Sequence, residues 1–258
     1  MNNINEVPKD KKLVIFDLDR TLTESKAKID EEMSSLLAQL LKTKMIAVIG
    51  GGKFEQFKKQ LLSKLSASGE LLANLFLFPV TATTFFKYQN NEWAEVYSQN
   101  FSNEEREEIL SAFEKTFREL NYKHPATIYG ELMEDRGSQI TFSVLGQKAP
   151  TDLKEQWNKE NPDVRSKMEE VLQKHLPDME VKVAGLTSID VTRKGIDKGY
   201  GIRQMEKYLN TSLEDMLFVG DNFSHEGNDE PVLNTGVLCF EVKNVEDTKD
   251  LIRHLLFQ

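Results

Sequence analysis

Leu13-Val14-Ile15-Phe16-Asp17-Leu18-Asp19-Arg20-Thr21-Leu22-Thr23 begins as a short apolar run and ends in acid. The run at 13–16 reads as a buried strand of a parallel sheet. Two carboxylates two residues apart at its end then lie on the sheet's C-terminal edge, where open α/β folds bind their ligands.

Outward from that strand the rhythm repeats. Asp30 can cap a helix whose Met33, Leu36, Leu37, Leu40 and Leu41 share one face. Residues 45–49 form a second buried strand, stopped by Gly50, Gly51 and Gly52, and Phe54, Phe57, Leu61, Leu62 and Leu65 then recur at helical spacing. Residues 75–78 give a third strand. This alternation predicts an α/β fold, a Rossmann-like parallel sheet with helices on both faces. After Pro79 the pattern changes. Strands at 84–88 and 93–97 flank Asn90-Asn91 as a hairpin, and Ser102 with Glu105 makes a capping box for a helix. Strands at 128–133 and 139–144, a polar connection, a helix through Val164 and Leu172, and a strand at 181–184 follow. These elements predict an inserted α+β cap over residues 82–186, with the core divided into 1–81 and 187–258. The second core part is expected to carry strands at 189–191, 216–219 and 237–240, with helices at 198–209 and 247–255.

The composition narrows the class. Of 258 residues 39% are hydrophobic and 29% charged, as in an ordinary globular protein. A net charge of −9 without a basic patch argues against a nucleic-acid partner. Cys239 is the only cysteine, which excludes a disulfide framework or a thiolate metal cage. Residues 1–12 lack the apolar core of a signal peptide, and the longest apolar stretch, 71–80, is too short for a bilayer and contains Asn74. The expectation is a cytoplasmic protein with no membrane partner.

A second strand runs into acid at Phe218-Val219-Gly220-Asp221-Asn222. A parallel sheet sets that end beside the first, so Asp17, Asp19 and Asp221 converge and need a cation to relieve their repulsion. Hard oxygen ligands point to Mg2+, which also binds phosphate oxygens. Lys198 falls at a helix start, where it can hold a phosphate oxygen or balance the carboxylates. The Gly50–Gly52 loop lets backbone N–H groups, those of Gly51 and Gly52 among them, approach a phosphate.

Taken in order, these segments resemble the haloacid dehalogenase superfamily, and the insertion after the third strand resembles the type IIB cap of its sugar-phosphate phosphatases. Over nearly the whole chain the sequence is similar to the eukaryotic-type phosphomannomutase family. Asp17-Leu-Asp19-Arg-Thr-Leu-Thr-Glu-Ser-Lys26, Ile49-Gly50-Gly51-Gly52-Lys53-Phe54, Asp190-Val-Thr-Arg-Lys-Gly-Ile-Asp-Lys198 and the stretch from Gly220-Asp221 to Gly227-Asn228-Asp229 all fall in step with it. The resemblance implies that Asp17 attacks phosphorus and becomes an aspartyl phosphate, and that Asp19 is general acid and base. It also implies that Mg2+ is held by the side chains of Asp17 and Asp221 and the backbone carbonyl of Asp19. It assigns Lys26, Arg136 and Asp190 to the substrate, while Asn228 and Asp229 either orient the metal ligands or touch substrate. The resembled mutases dimerise through the cap, so a homodimer is an expectation of the same kind.

Three departures bear on function. Lys26 and Gln147 stand where the family has arginine, residues 79–82 lack its Glu-Asn-Gly, and Gly50–Gly52 offer no hydroxyl. A lysine or glutamine does not replace a bidentate arginine fork. Holding a doubly phosphorylated sugar against water requires strong anchoring at both ends, so the thinned arginine set favours a Mg2+-dependent phosphatase of sugar phosphates. The alternative is a phosphomannomutase, and a more distant one is a non-catalytic phospho-ligand sensor. The retained Asp17 argues against a sensor, because binding needs no nucleophile.

Overall fold

A computed structural model describes residues 3–225 and 227–256. Its strands, in chain order, are β1 (Leu13–Asp17), β2 (Met45–Ile49), β3 (Leu75–Phe78), β4 (Thr84–Gln89), β5 (Glu92–Ser98), β6 (Met133–Asp135), β7 (Gln139–Ser143), β8 (Met179–Ala184), β9 (Ser188–Arg193), β10 (Met216–Gly220) and β11 (Leu238–Glu241). The chain divides into two compact units, residues 1–98 with 196–258, and residues 99–195.

The first unit is built on a sheet of order β11-β10-β1-β2-β3-β4-β5, parallel from β11 to β3. Every residue of β1 is buried, as a central strand covered on both faces must be. Alternate side chains serve opposite cores. Val14, Phe16, Ile46 and Val48 pack with the helices Glu31–Leu40 and Val245–Leu256, while Leu13, Ile15, Ala47 and Ile49 pack with Lys198–Leu209. Asp30 caps the first of these helices by accepting from the Met33 N–H at 2.8 Å, and Asp197 caps the third by accepting from Tyr200 at 2.7 Å. The register sets Asp17 beside Ile49 and Phe16 beside Val219. The three loops that follow β1, β2 and β10 therefore emerge side by side at one edge.

The second unit is an antiparallel sheet of order β6-β7-β9-β8. Ile140, Phe142, Ile189 and Val191 on one face pack against Ile109 and Phe113 of the helix Asn103–Glu119 and Met168 and Leu172 of Val164–His175. The capping box of Ser102 and Glu105 is present.

The boundaries differ from those expected. The hairpin at 84–98 does not open the insertion. It extends the core sheet, with β4 antiparallel to β3, because Phe85 stacks on Phe78 at 4.5 Å and Phe86 on Phe54 at 3.9 Å. Residues 189–191 do not resume the parallel core either. As part of β9 they sit between β7 and β8 in the insertion's sheet, where Ile189 and Val191 complete its apolar face. The strand expected from 128 starts only at Met133, and the polar connection contains a helix, Thr151–Glu160, with no buried residue to announce it. Among the described residues no helix is long and apolar enough to cross a membrane.

The helix bearing Lys198 approaches its neighbour closely at Gly199, where a Cβ would lie 2.7 Å from the Pro231 carbonyl oxygen. Alanine gains about 1 kcal/mol of helix propensity but must push that backbone away. Gly199→Ala is expected to lose roughly 1–2 kcal/mol net in urea unfolding, whereas the same change at open Gly51 is expected to lose little.

Candidate active site

Lys198 enters the site from the first turn of its helix and is buried, with only 3% of its surface exposed. Its ammonium lies 2.8 Å from Asp17 Oδ1 and also contacts Asp229 Oδ1. Asp17 is 4% exposed and Asp229 wholly buried. The other oxygen of Asp229 accepts from the backbone N–H groups of Asp221 and Asn222, at 3.1 and 3.0 Å. Asp229 thereby fixes the loop after β10, which carries Asp221.

One ammonium faces two buried carboxylates, with half-buried Asp221 beside them, and single oxygens of Asp17, Asp221 and Asp229 lie within 4.8 Å of one another. One ammonium does not balance these carboxylates. Burial pushes the Asp17 carboxyl up to about 7, with the Asp229 charge adding to the rise and Lys198 opposing it. Asp221 is also raised, first by burial and then by Asp229, against the pull of Lys198 and Arg20. Burial disfavours the Lys198 ammonium, but its two carboxylates more than offset this and hold it protonated. A cluster of hard oxygen donors lacking positive charge suits Mg2+, which binds through one or two carboxylates plus water and phosphate.

Asp19 points elsewhere. Its Oδ1 accepts from the Lys26 backbone N–H at 2.7 Å and from Gln60 Nε2 at 2.9 Å, and its Oδ2 accepts from Gln56 Nε2 at 3.2 Å. The sequence reading overlooked both glutamines. Their four-residue spacing, on the helical segment that starts directly after the glycine loop, was the available signal.

The glycine loop is held from the end of β3. The N–H of Val80 donates to the Gly52 carbonyl at 3.0 Å and that of Thr81 to the Gly50 carbonyl at 2.9 Å. To do so Val80, Thr81 and Ala82 adopt left-handed backbone, with φ of 47°, 53° and 62°. Left-handed Val and Thr are strained, and such strain concentrates at functional sites. Gly51, Lys26 and Asn228 are exposed at this end of the unit and Gly52 is half-buried.

Arg136 and Asp190 belong to the inserted unit. Arg136 pairs with Glu134 at 2.8 Å. Burial raises Asp190, against the attraction of Arg136, and its Oδ1 is buried without a hydrogen-bond partner. Gln147 turns its amide to the Thr141 carbonyl at 3.1 Å.

Comparison with known proteins adds identity to this geometry. The sequence model of the family described as eukaryotic phosphomannomutase matches residues 33–258. The phosphomannomutase of Saccharomyces cerevisiae is 28% identical over 252 residues, covering 94% of this chain and 93% of the yeast protein. That of Encephalitozoon cuniculi is 27% identical over 255 residues, covering 93% and 91%. In fold the chain is similar to the IMP-bound IMP-nucleotidase of Plasmodium falciparum, with a TM-score of 0.69 at 18% identity over 98% of this chain and 70% of that one. It is also similar to the trehalose-6-phosphate phosphatase of Aspergillus fumigatus, with a TM-score of 0.61 at 15% identity over 96% and 93%. The fold is thus that of haloacid dehalogenase phosphatases, as the motifs implied.

The raised Asp17 makes a thermodynamic prediction. Burial pushes its carboxyl from the ordinary 3.8 up to about 7, so between these values the folded state binds a proton that the unfolded chain has lost. Stability must then fall as pH rises from about 4 to 7 and level off above, by at most about 1.4 kcal/mol per pH unit. In chelator, the thermal midpoint is expected to fall between pH 5 and 7. Saturating Mg2+ should raise it most at the upper end, and Asp17→Asn should flatten the chelator curve.

Proposed function

Because this chain belongs to the eukaryotic phosphomannomutase family, we propose that it is a phosphoryl-transfer enzyme that interconverts hexose 1- and 6-phosphates through Asp17. The family match and the shared name of the relatives outweigh the thinned arginines that favoured hydrolysis. The observation that supports the reading is the buried contact of Asp17 with Lys198, which holds a carboxylate oxygen at the sheet edge with Asp19 two residues on.

In this reading an Asp17 oxygen attacks phosphorus in line. The bond from phosphorus to the sugar oxygen breaks, its electron pair stays on that oxygen, and the Asp19 carboxyl supplies the proton. In the return step the Asp19 carboxylate takes the proton of the attacking hydroxyl, and the phosphoryl group leaves Asp17. Lys198 keeps the Asp17 carboxylate oriented and partly neutralised, and Asp229 holds the loop carrying Asp221. Mg2+, held by the carboxylates of Asp17 and Asp221 and the carbonyl of Asp19, would supply the charge neutralisation that phosphoryl transfer requires. Backbone N–H groups of Gly51 and Gly52, with Lys26 and Asn228, serve the substrate phosphate and its surroundings, and Arg136 and Asp190 serve the sugar's far end.

A second reading, a sugar-phosphate phosphatase, is supported by Gln147, whose neutral amide is spent on a backbone carbonyl where the family has a charged fork. There water takes the place of the second sugar hydroxyl.

Mannose 1-phosphate with Mg2+ and a catalytic amount of hexose 1,6-bisphosphate is expected to give the 6-phosphate. Asp17→Asn should lower this by at least three orders of magnitude. Inorganic phosphate released without isomerisation selects the phosphatase, and neither product from a folded sample refutes both readings.

A further inference from the structure

Nothing in the mechanism above explains how Asp19 is kept in place, and its three donors answer that. Gln60 is the most constrained. It is 1% exposed, its Nε2 donates to Asp19 at 2.9 Å and lies 3.2 Å from Thr23 Oγ1, and its backbone carbonyl accepts from the Ile29 N–H at 2.9 Å. The segment Lys58–Leu62 that carries it is wound as a π-helix, a wider turn that costs regular helix bonding and recurs at functional sites. The Gln60 Oε1 atom is buried with no partner, so the side chain is turned toward Asp19 at the expense of its own carbonyl.

Gln56 reaches the same carboxylate by another route. A Cβ on residue 52 would lie 2.0 Å from Gln56 Oε1, so the carboxamide fills the space that a side chain at position 52 would claim. A glycine at 52 and a long amide at 56 form one device: the glycine vacates the place and the glutamine occupies it, donating to Asp19 Oδ2 at 3.2 Å.

We propose that Gln56 and Gln60 are positioning residues that hold the Asp19 carboxyl in the orientation from which it exchanges a proton with the substrate oxygen, Gln56 doing so from the space left open by Gly52. The assignment rests on the reading of Asp19 as proton carrier. The bond changes are those already given: the P–O bond to the sugar breaks and its oxygen takes the Asp19 proton. Losing the amides leaves Asp17, Lys198 and Asp221 in place and takes from Asp19 two of its three donors, leaving only the Lys26 N–H.

That separation sets the test. A sugar alkoxide needs a proton to leave, whereas nitrophenolate does not. Wild type, Gln60→Leu and Gln56→Ala are compared for the first-turnover rate on a hexose 1-phosphate and on p-nitrophenyl phosphate, with Mg2+ present. Leucine at 60 is nearly isosteric and removes the orphaned carbonyl, so that variant is expected to fold, and half-buried Gln56 provides a second site. The ratio of hexose-phosphate to nitrophenyl-phosphate rates is expected to fall at least tenfold in each variant, with KM for the sugar phosphate within about twofold. A merely structural role lowers both rates and leaves the ratio unmoved, which overturns the proposal, as does an unchanged hexose-phosphate rate. If wild type turns over neither substrate, the proposed function falls and takes this assignment with it. An active wild type with an unmoved ratio removes only the assignment.

Discussion

A single buried ammonium shared between two buried carboxylates is the constraint on which the rest depends. Removing two anions and a cation from water costs several kcal/mol per ion, and one positive charge cannot offset two negative ones at close range. The fold tolerates Lys198 between Asp17 and Asp229 because each oxygen of Asp229 is occupied, one by the ammonium and the other by two backbone N–H groups. Burial and the Asp229 charge accordingly push up the carboxyls of Asp17 and half-buried Asp221, whose ionised forms lack a counter-charge. Such an arrangement is a poor way to stabilise a protein and a good way to prepare a place for a divalent cation and a phosphate.

The parallel sheet makes that place possible at low cost in chain. Asp17, the glycine loop and Asp221 are far apart in sequence, yet each directly follows a strand, and the register of β10, β1 and β2 brings the strand ends level. Local strain completes the edge. Three consecutive non-glycine residues at positive φ after β3 are unfavourable in isolation, and they persist because the N–H groups of two of them, Val80 and Thr81, satisfy the carbonyls of Gly52 and Gly50. A loop that must present N–H groups outward needs its carbonyls bound from behind, and the left-handed turn supplies that support.

What the sequence disclosed follows from which interactions are local. Buried strands ending in Asp17 and Asp221 are visible as apolar runs that stop at acid, and the Ser102–Glu105 box is a four-residue pattern, so all of these could be read directly. The hairpin at 84–98 could not be assigned to a sheet, since its partner is chosen by the stacking of Phe85 and Phe86 on side chains that the local pattern does not connect. The strand at 188–193 misled for the same reason: two apolar residues, Ile189 and Val191, flanking an aspartate look alike in a parallel core and in an antiparallel cap. Asp229 was recognised as belonging to the site, but its burial against Lys198 depends on a helix 31 residues earlier, which spacing does not reveal. Gln56 and Gln60 went unremarked because glutamine carries no charge, and their four-residue spacing gains meaning only beside the position of Asp19.

Mutase and hydrolase are hard to separate by motif because the proposed chemistry is common to both. In the proposed mechanism both reactions would form and break the same bond to Asp17, so either would use the same nucleophile, proton carrier and counter-charge. The difference is whether a sugar hydroxyl or water meets the aspartyl phosphate, and that is decided by how firmly the far end of a bisphosphate is anchored. In the second unit Arg136 is already engaged by Glu134, and Gln147 contributes no charge. An arginine shared with a carboxylate must exchange one anion for another, so its net gain on binding a second phosphate is smaller than that of a free fork. For the proposed mutase reading, hydrogen bonds from the sugar, such as one to the orphaned Oδ1 of Asp190, would have to supply the anchoring that charge supplies elsewhere.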